Sequence, residues 1–206
     1  MPVTSSTTLL HTTLALTVLA VASCAAGHQP ATSTPATESL APIAPTELRW
    51  HSWRGIDLPY ARQGPRNTDT AAVSGFDQSP AGAALAAIHA SVRMAIAPDN
   101  QWPQVGQTML APGPGRDAWA GARAQVSIAE PAGPEGPTIL GYTVTTFLGA
   151  DAAIEIYSSY RDGSLTCHHA NVVWLDNDWR LRLSLPGQPV VAVESTPAAM
   201  LTLARR

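Results

Sequence analysis

An α+β domain, with N-terminal helices packed on a C-terminal antiparallel sheet of three to five strands, is what three features of this sequence predict. Apolar residues recur at three and four residue intervals up to Pro98, the helical period, and from Ile139 onward they alternate, the strand period. The Pro/Gly-rich stretch AGPEGP separates the two regimes. A chain of 206 residues with 45% hydrophobic and 13% charged content then holds one modest domain, with length left for a targeting segment and a linker. Of the apolar residues 35 are alanine, so the core is small. Twelve basic against 15 acidic residues, a net charge of -3, give no basic excess for binding nucleic acid. All the basic residues are arginine, which fits a GC-rich coding bias and carries no function.

The chain opens with no charged residue before Glu38 and with an apolar run, LALTVLAVA, ending at Ser23 and Cys24. That run has the length of a secretory core and falls short of the roughly 20 residues that span a bilayer. The tetrad Val21-Ala22-Ser23-Cys24 resembles a bacterial lipobox, which implies cleavage after residue 23 and a lipid on Cys24. Against it, the segment before the run carries only His11 where signals carry Lys or Arg, so an uncleaved anchor or an ordinary secretory signal stays open. The expected organisation is a signal over 1–23, the lipidated Cys24 and a Pro/Ala/Thr/Ser tether over 24–47, and one domain over 48–206. Such a protein sits on the extracytoplasmic face of the cell membrane. Cys167, in an apolar strand-like run, reads as a buried free thiol, and a disulfide to Cys24 requires that lipidation fail.

The first folded segment, LRWHSWRGIDLPYARQGPR, is broken by Gly55, Pro59, Gly64 and Pro65 and reads as an extended lead-in pinned to the surface by Trp50, Trp53, Ile56 and Leu58. The long helix follows, with Ser79 as its cap and Pro80 at its first position, and Pro98 ends it after about Ala97. Ala81, Ala84, Leu85, Ile88, Val92, Ala95 and Ile96 form its apolar stripe. Trp102 to Leu110 is a short amphipathic piece, and Asp117 can cap a further helix through Arg123. Strands are expected over Ile139 to Phe147, Ala153 to Tyr160, Thr166 to Leu175, Trp179 to Leu185 and Val190 to Val193. Arg161-Asp162-Gly163 reads as a hairpin turn, and Asp176-Asn177-Asp178 as another whose side chains satisfy turn amides rather than hold calcium.

WRGIDLPYARQGP, the block SGFDQSPAGAALAAIHASVR and the late run VVWLDNDWRLRL together resemble a family of uncharacterised actinobacterial proteins. The resemblance implies a protein of a kind that often carries a lipoprotein or membrane-anchor signal and is often encoded near plasmid or conjugative-element genes. The resemblance covers most of 50–185 and implies a nuclear-transport-factor-like or cystatin-like cone. It implies no activity, and no catalytic residue is carried over.

Adjacent His168 and His169 invite a metal, yet on a strand they point to opposite faces, and no Cys/His/Asp/Glu set with zinc spacing surrounds them in the sequence. Which one faces the core depends on the loop after Leu175: three residues turn His169 to the apolar side, two residues reverse the faces. His89, Glu155, Tyr142 and Tyr157 are the candidate pocket residues, with His89 or Glu155 as the acid or base if the pocket is catalytic. No nucleophile elbow occurs, and with no lysine there is no Walker loop, so no cofactor and no metal is assigned. The expectation is a membrane-anchored, non-catalytic module that binds an envelope protein partner, in conjugation or secretion. Its alternative is a small-molecule binder or pocket enzyme with a deep apolar cavity between long helix and sheet.

Overall fold

The computed structural model describes residues 43–185 and 190–205. The expected signal, Cys24 and most of the expected tether lie outside them. Two strands come before any helix, which overturns the expected order. β1 (Arg49–Trp53) and β2 (Ile56–Tyr60) form a two-stranded antiparallel hairpin in which Trp53 faces Ile56. Arg54 and Gly55 make its turn with φ of 50° and 86°, the conformation that tight hairpins favour. A side chain at Gly55 would also place its Cβ 2.3 Å from the Ala132 carbonyl oxygen. Pro59 and Gly55 hide this hairpin in the sequence, because prolines and glycines read as strand breakers. Ile56 and Leu58 belong to the core, and Trp50 and Trp53 pack against it half-buried.

Three helices then intervene: α1 (Pro80–Ile96), α2 (Trp102–Met109) and α3 (Pro114–Arg123). The Ser79 hydroxyl accepts the Gly82 amide at 3.1 Å, so the expected cap is real. The α1 stripe is wider than its period shows. Ala83, Ala86, Ala87 and Ala90 are buried as well, because alanine lets neighbours close in on several sides, whereas Ala95 is exposed.

β3 (Thr138–Phe147), β4 (Asp151–Ser159), β5 (Leu165–Leu175), β6 (Asp178–Arg182), β7 (Val190–Val193) and β8 (Leu201–Thr202) make one antiparallel sheet in the order β6-β5-β4-β3-β8, with β7 also on β5. Six strands replace the three to five expected, since β8 is only two residues long and has no readable period. The anticipated cone of leading helices on a trailing sheet is therefore incorrect: a hairpin leads, the helices are inserted, and sheet predominates. The apolar face of the sheet, with Ile154, Ile156, Ala170, Val172 and Leu181, joins α1 in a single core. No helix among the described residues is long and apolar enough to cross a membrane.

Candidate functional site

The four candidate pocket residues do not converge. Tyr142 pairs with Ile156 on the core face, where it is fully buried and its hydroxyl donates to the Ile43 carbonyl; burial raises its pKa. His89, likewise at 0% exposure, lies in a polar knot rather than a cavity. Its Nδ1 accepts from Arg93 Nε at 3.4 Å, so the proton sits on Nε2, which donates to the Pro59 carbonyl at 2.9 Å. Tyr60 and Phe76 enclose the ring at centroid distances of 4.9 and 5.8 Å. Desolvation, helped by the Arg93 charge and opposed by the Pro59 bond, pushes the His89 pKa down to about 3.

That depression makes a pH prediction with a definite sign. Between the ordinary pKa of 6.5 and about 3 the unfolded chain holds a proton on His89 that the folded chain lacks. Stability is therefore complete above pH 6.5 and falls as pH drops, by up to about 1.4 kcal/mol per unit from this group. Urea unfolding at pH 7 and pH 4.5 should show the fall, and His89→Gln should flatten it. An equal slope in the variant refutes the assignment.

Glu155 and Tyr157 occupy the opposite face of the sheet. The β4–β5 register sets Glu155 against His169 and Tyr157 against Cys167, so all four side chains share one face. Tyr157 donates to Glu155 Oε2 at 2.6 Å, Glu155 Oε1 lies 3.5 Å from His169 Nδ1, and His169 Nε2 lies 4.0 Å from Cys167 Sγ. Cys167 is a free, buried thiol whose pKa is raised by burial, and burial likewise raises Tyr157, with its bond to Glu155 acting in the same direction. This cluster was absent from the sequence expectations although its signal was present. A turn centred on Asp162 pairs residues symmetrically about that position, which puts 155 opposite 169 and 157 opposite 167.

His168 faces the other way, toward α1. Leu175 pairs with Asp178, so the loop is the two residues Asp176 and Asn177, both at positive φ, and the register choice left open by the sequence is resolved with His168 on the helix side. Burial, with the neighbouring His169 charge, lowers its pKa and favours the neutral ring.

Around His168 the packing of α1 on the sheet leaves room. One cavity of about 300 Å³ is bounded by Ile88, Val92 and Ile96 of α1 and by Ile139, Ile156 and Thr166 of the sheet. A second, of about 410 Å³, lies between α1 and α3 against Met94, Ala118, Trp119 and Leu183. Ser91, Ala95 and His168 line both, so the two cavities adjoin, with His168 between them. The Ser91 hydroxyl is buried and has no hydrogen-bond partner. A cavity between long helix and sheet is thus present, and it contains His168 in place of His89 or Glu155. Alanine accounts for it: small side chains at 95, 118 and 122 leave the space that larger ones would fill.

No curated protein and no solved structure matches the chain. One family does, over residues 18–202, and its description is Domain of unknown function (DUF8175). Since that match spans most of the chain and every described element, the chain belongs to the DUF8175 family of domains of unknown function.

Proposed function

We propose that this chain is a lipid-tethered binding protein of the extracytoplasmic face of an actinobacterium-like cell membrane, and that its domain holds a small, mostly apolar ligand in the cleft beside α1 without transforming it. The observation that carries the ligand class is the cleft itself: mostly apolar walls, with the His168 imidazole where the two cavities adjoin and a few hydroxyl residues, Ser91, Ser158, Tyr160, Thr166 and Ser184, in the lining. Small-molecule sites have this composition, with broad hydrophobic lining for affinity and a few polar atoms for orientation. A neutral imidazole and a hydroxyl both donate and accept, which suits a carboxyl, hydroxyl or carbonyl head on an aliphatic body. Binding without catalysis is the simpler use of a site where, among the described residues, no Asp, Glu or Arg lines the wall beside His168.

The tether supports the location. The family match begins at Val18, so the tetrad Val21 to Cys24 falls within it, and the Pro/Ala/Thr/Ser stretch after Cys24 suits a spacer. A lipid anchor would deliver the cleft to a surface where acyl-bearing molecules are abundant. The protein partner first expected would meet the exposed Leu185 and Val190 at the rim of the same cleft.

The test uses the full chain and a fluorescent dansyl fatty acid. Bound probe should brighten on titration with the protein and be displaced by unlabelled fatty acid. Ala95→Trp, which pushes an indole into the junction of both cavities, should weaken binding by at least about tenfold while leaving the circular dichroism unchanged. No saturable enhancement with the parent protein, or equal binding by Ala95→Trp, overturns the ligand reading. For the anchor, intact mass should show the parent without residues 1–23 and with an added lipid, and Cys24→Ala at the mass of the uncleaved, unlipidated chain. A parent that keeps residues 1–23 and carries no lipid overturns that half.

A further inference from the structure

We propose that Glu155, Cys167 and His169 bind a divalent metal ion of the zinc class on the sheet face turned away from α1. A carboxylate oxygen, an imidazole nitrogen and a sulfur lie within 4.8 Å of one another, drawn from two adjacent strands. Carboxylate, imidazole and thiolate are the three side-chain types zinc takes, and three protein ligands with one place left for water is the arrangement of an open zinc site. In that coordination the ligand atoms stand somewhat more than 3 Å apart, given metal bonds of about 2.0 to 2.3 Å. An imidazole binds one ion through one nitrogen, and with one ligand atom from each residue the set lies within 4.8 Å, which rotation of the His169 ring and rotamer adjustment of its neighbours bring to that spacing.

The surroundings fit a metal better than a hydrogen-bonded trio. Tyr157 grips the far oxygen of Glu155 at 2.6 Å, which fixes the carboxylate and leaves Oε1 facing His169, the role outer groups play around bound ions. Thr143 is the register partner of Glu155, and its hydroxyl is buried with no hydrogen-bond partner. The ligands are also placed on paired strands rather than on loops, so the backbone holds them in register.

The same three groups stand in the order nucleophile, base and orienting acid, which raises a thiol hydrolase as the rival. Three observations weigh against it. Cys167 is 3% exposed, its sulfur is 4.0 Å from the imidazole, and burial favours the protonated thiol. A metal ion needs none of these to be otherwise, because coordination itself displaces the thiol proton to solvent. Among cations, the soft sulfur argues against magnesium and calcium.

Cobalt(II) is the probe. The full chain, reduced and free of competing thiols, is titrated with cobalt and read by the thiolate-to-cobalt charge-transfer band and the d–d bands of a tetrahedral ion, followed by displacement with zinc. One equivalent should saturate the bands, and zinc should abolish them. Cys24→Ala should behave like the parent, so that the thiolate signal belongs to Cys167. Cys167→Ser should lose the charge-transfer band, and His169→Gln and Glu155→Gln should weaken binding by roughly 100-fold or more, whereas His168→Gln on the other face should match the parent. Zinc should also raise the melting temperature of the parent and leave that of Cys167→Ser unchanged. The proposal is overturned by an absence of saturable bands in the parent, by a charge-transfer band that persists in Cys167→Ser, or by equal losses from His168→Gln and His169→Gln. If Cys167→Ser fails to fold, Glu155→Gln and His169→Gln decide, since their side chains are 26% and 43% exposed in the parent and tolerate the change; parent-like affinity in both is a refutation.

Discussion

Arg93→Ala is expected to destabilise the fold by about 3–5 kcal/mol, the range for removing one member of a buried charged network. Arg93 is 1% exposed, and no carboxylate pairs with it among the described residues. Its guanidinium is satisfied instead by the Ala71 carbonyl, the Tyr60 hydroxyl at 3.0 Å and His89 Nδ1 at 3.4 Å, with the Trp53 ring 4.5 Å from its central carbon. Burial lowers its pKa, the sign that desolvation opposes the charge, and the ring face and carbonyl dipole offset part of that cost. Three elements meet at this residue: β1 through Trp53, β2 through Tyr60 and α1 itself.

Truncation leaves a void and strands the Ala71 carbonyl and the Tyr60 hydroxyl. Arg93→Met fills the void and removes the buried charge but not the stranded acceptor, so about 1–3 kcal/mol is expected of it. Arg93→Lys should fall nearer to alanine, because one ammonium cannot reach a carbonyl, a phenol and an imidazole in the fixed geometry of a fork. Urea denaturation of the three variants measures the order. A loss below about 1 kcal/mol for Arg93→Ala, or a methionine variant weaker than the alanine one, contradicts the account.

How far this was readable differs from residue to residue. Ser79, Pro80 and Pro98 marked α1 because each acts through its own backbone, and such local chemistry is visible in one sequence. The β1–β2 hairpin was not, since its turn uses Arg54 at positive φ, a conformation the residue type does not advertise. Arg93 stands in the last turn of α1, where a basic residue suits the helix end, and only the arrival of β2 and Ala71 from elsewhere in the chain makes it core. His168 and His169 were correctly separated by strand geometry, yet their assignment to faces waited on one residue of loop length. The Glu155, Cys167 and His169 cluster shows the intermediate case. Both strands and their turn were legible, and the step not taken was counting register across Asp162.

Trp179→Ala is the second large effect, expected at about 3–5 kcal/mol for a buried indole. Trp179 is 2% exposed, and its ring packs on Trp174 at 5.3 Å and Phe147 at 6.0 Å between centroids. What sets it apart from an ordinary core residue is its Nε1, which donates to the Asp77 carbonyl at 2.8 Å. Its neighbour Asp178, read from sequence as a turn residue, accepts the amides of Gly75 at 2.7 Å and Phe76 at 3.0 Å. The tip of the β5–β6 hairpin therefore clamps the loop that delivers Ser79 to the start of α1, across about a hundred residues of chain. Trp179→Phe keeps the packing and deletes the hydrogen bond, which isolates about 1–2 kcal/mol. Asp178→Ala removes the acceptor of three amides, those of Gly75, Phe76 and Trp179, and should cost about 1–3 kcal/mol. Because both residues hold one loop, their losses should not add: once Asp178 is gone the loop is free, and removing the indole hydrogen bond as well should cost less than it does alone. A double-mutant cycle of Asp178→Ala with Trp179→Phe then gives a coupling of about 0.5–1.5 kcal/mol. Strict additivity would mean that the two contacts act on the fold separately and that no shared clamp joins the sheet to the first turn of α1.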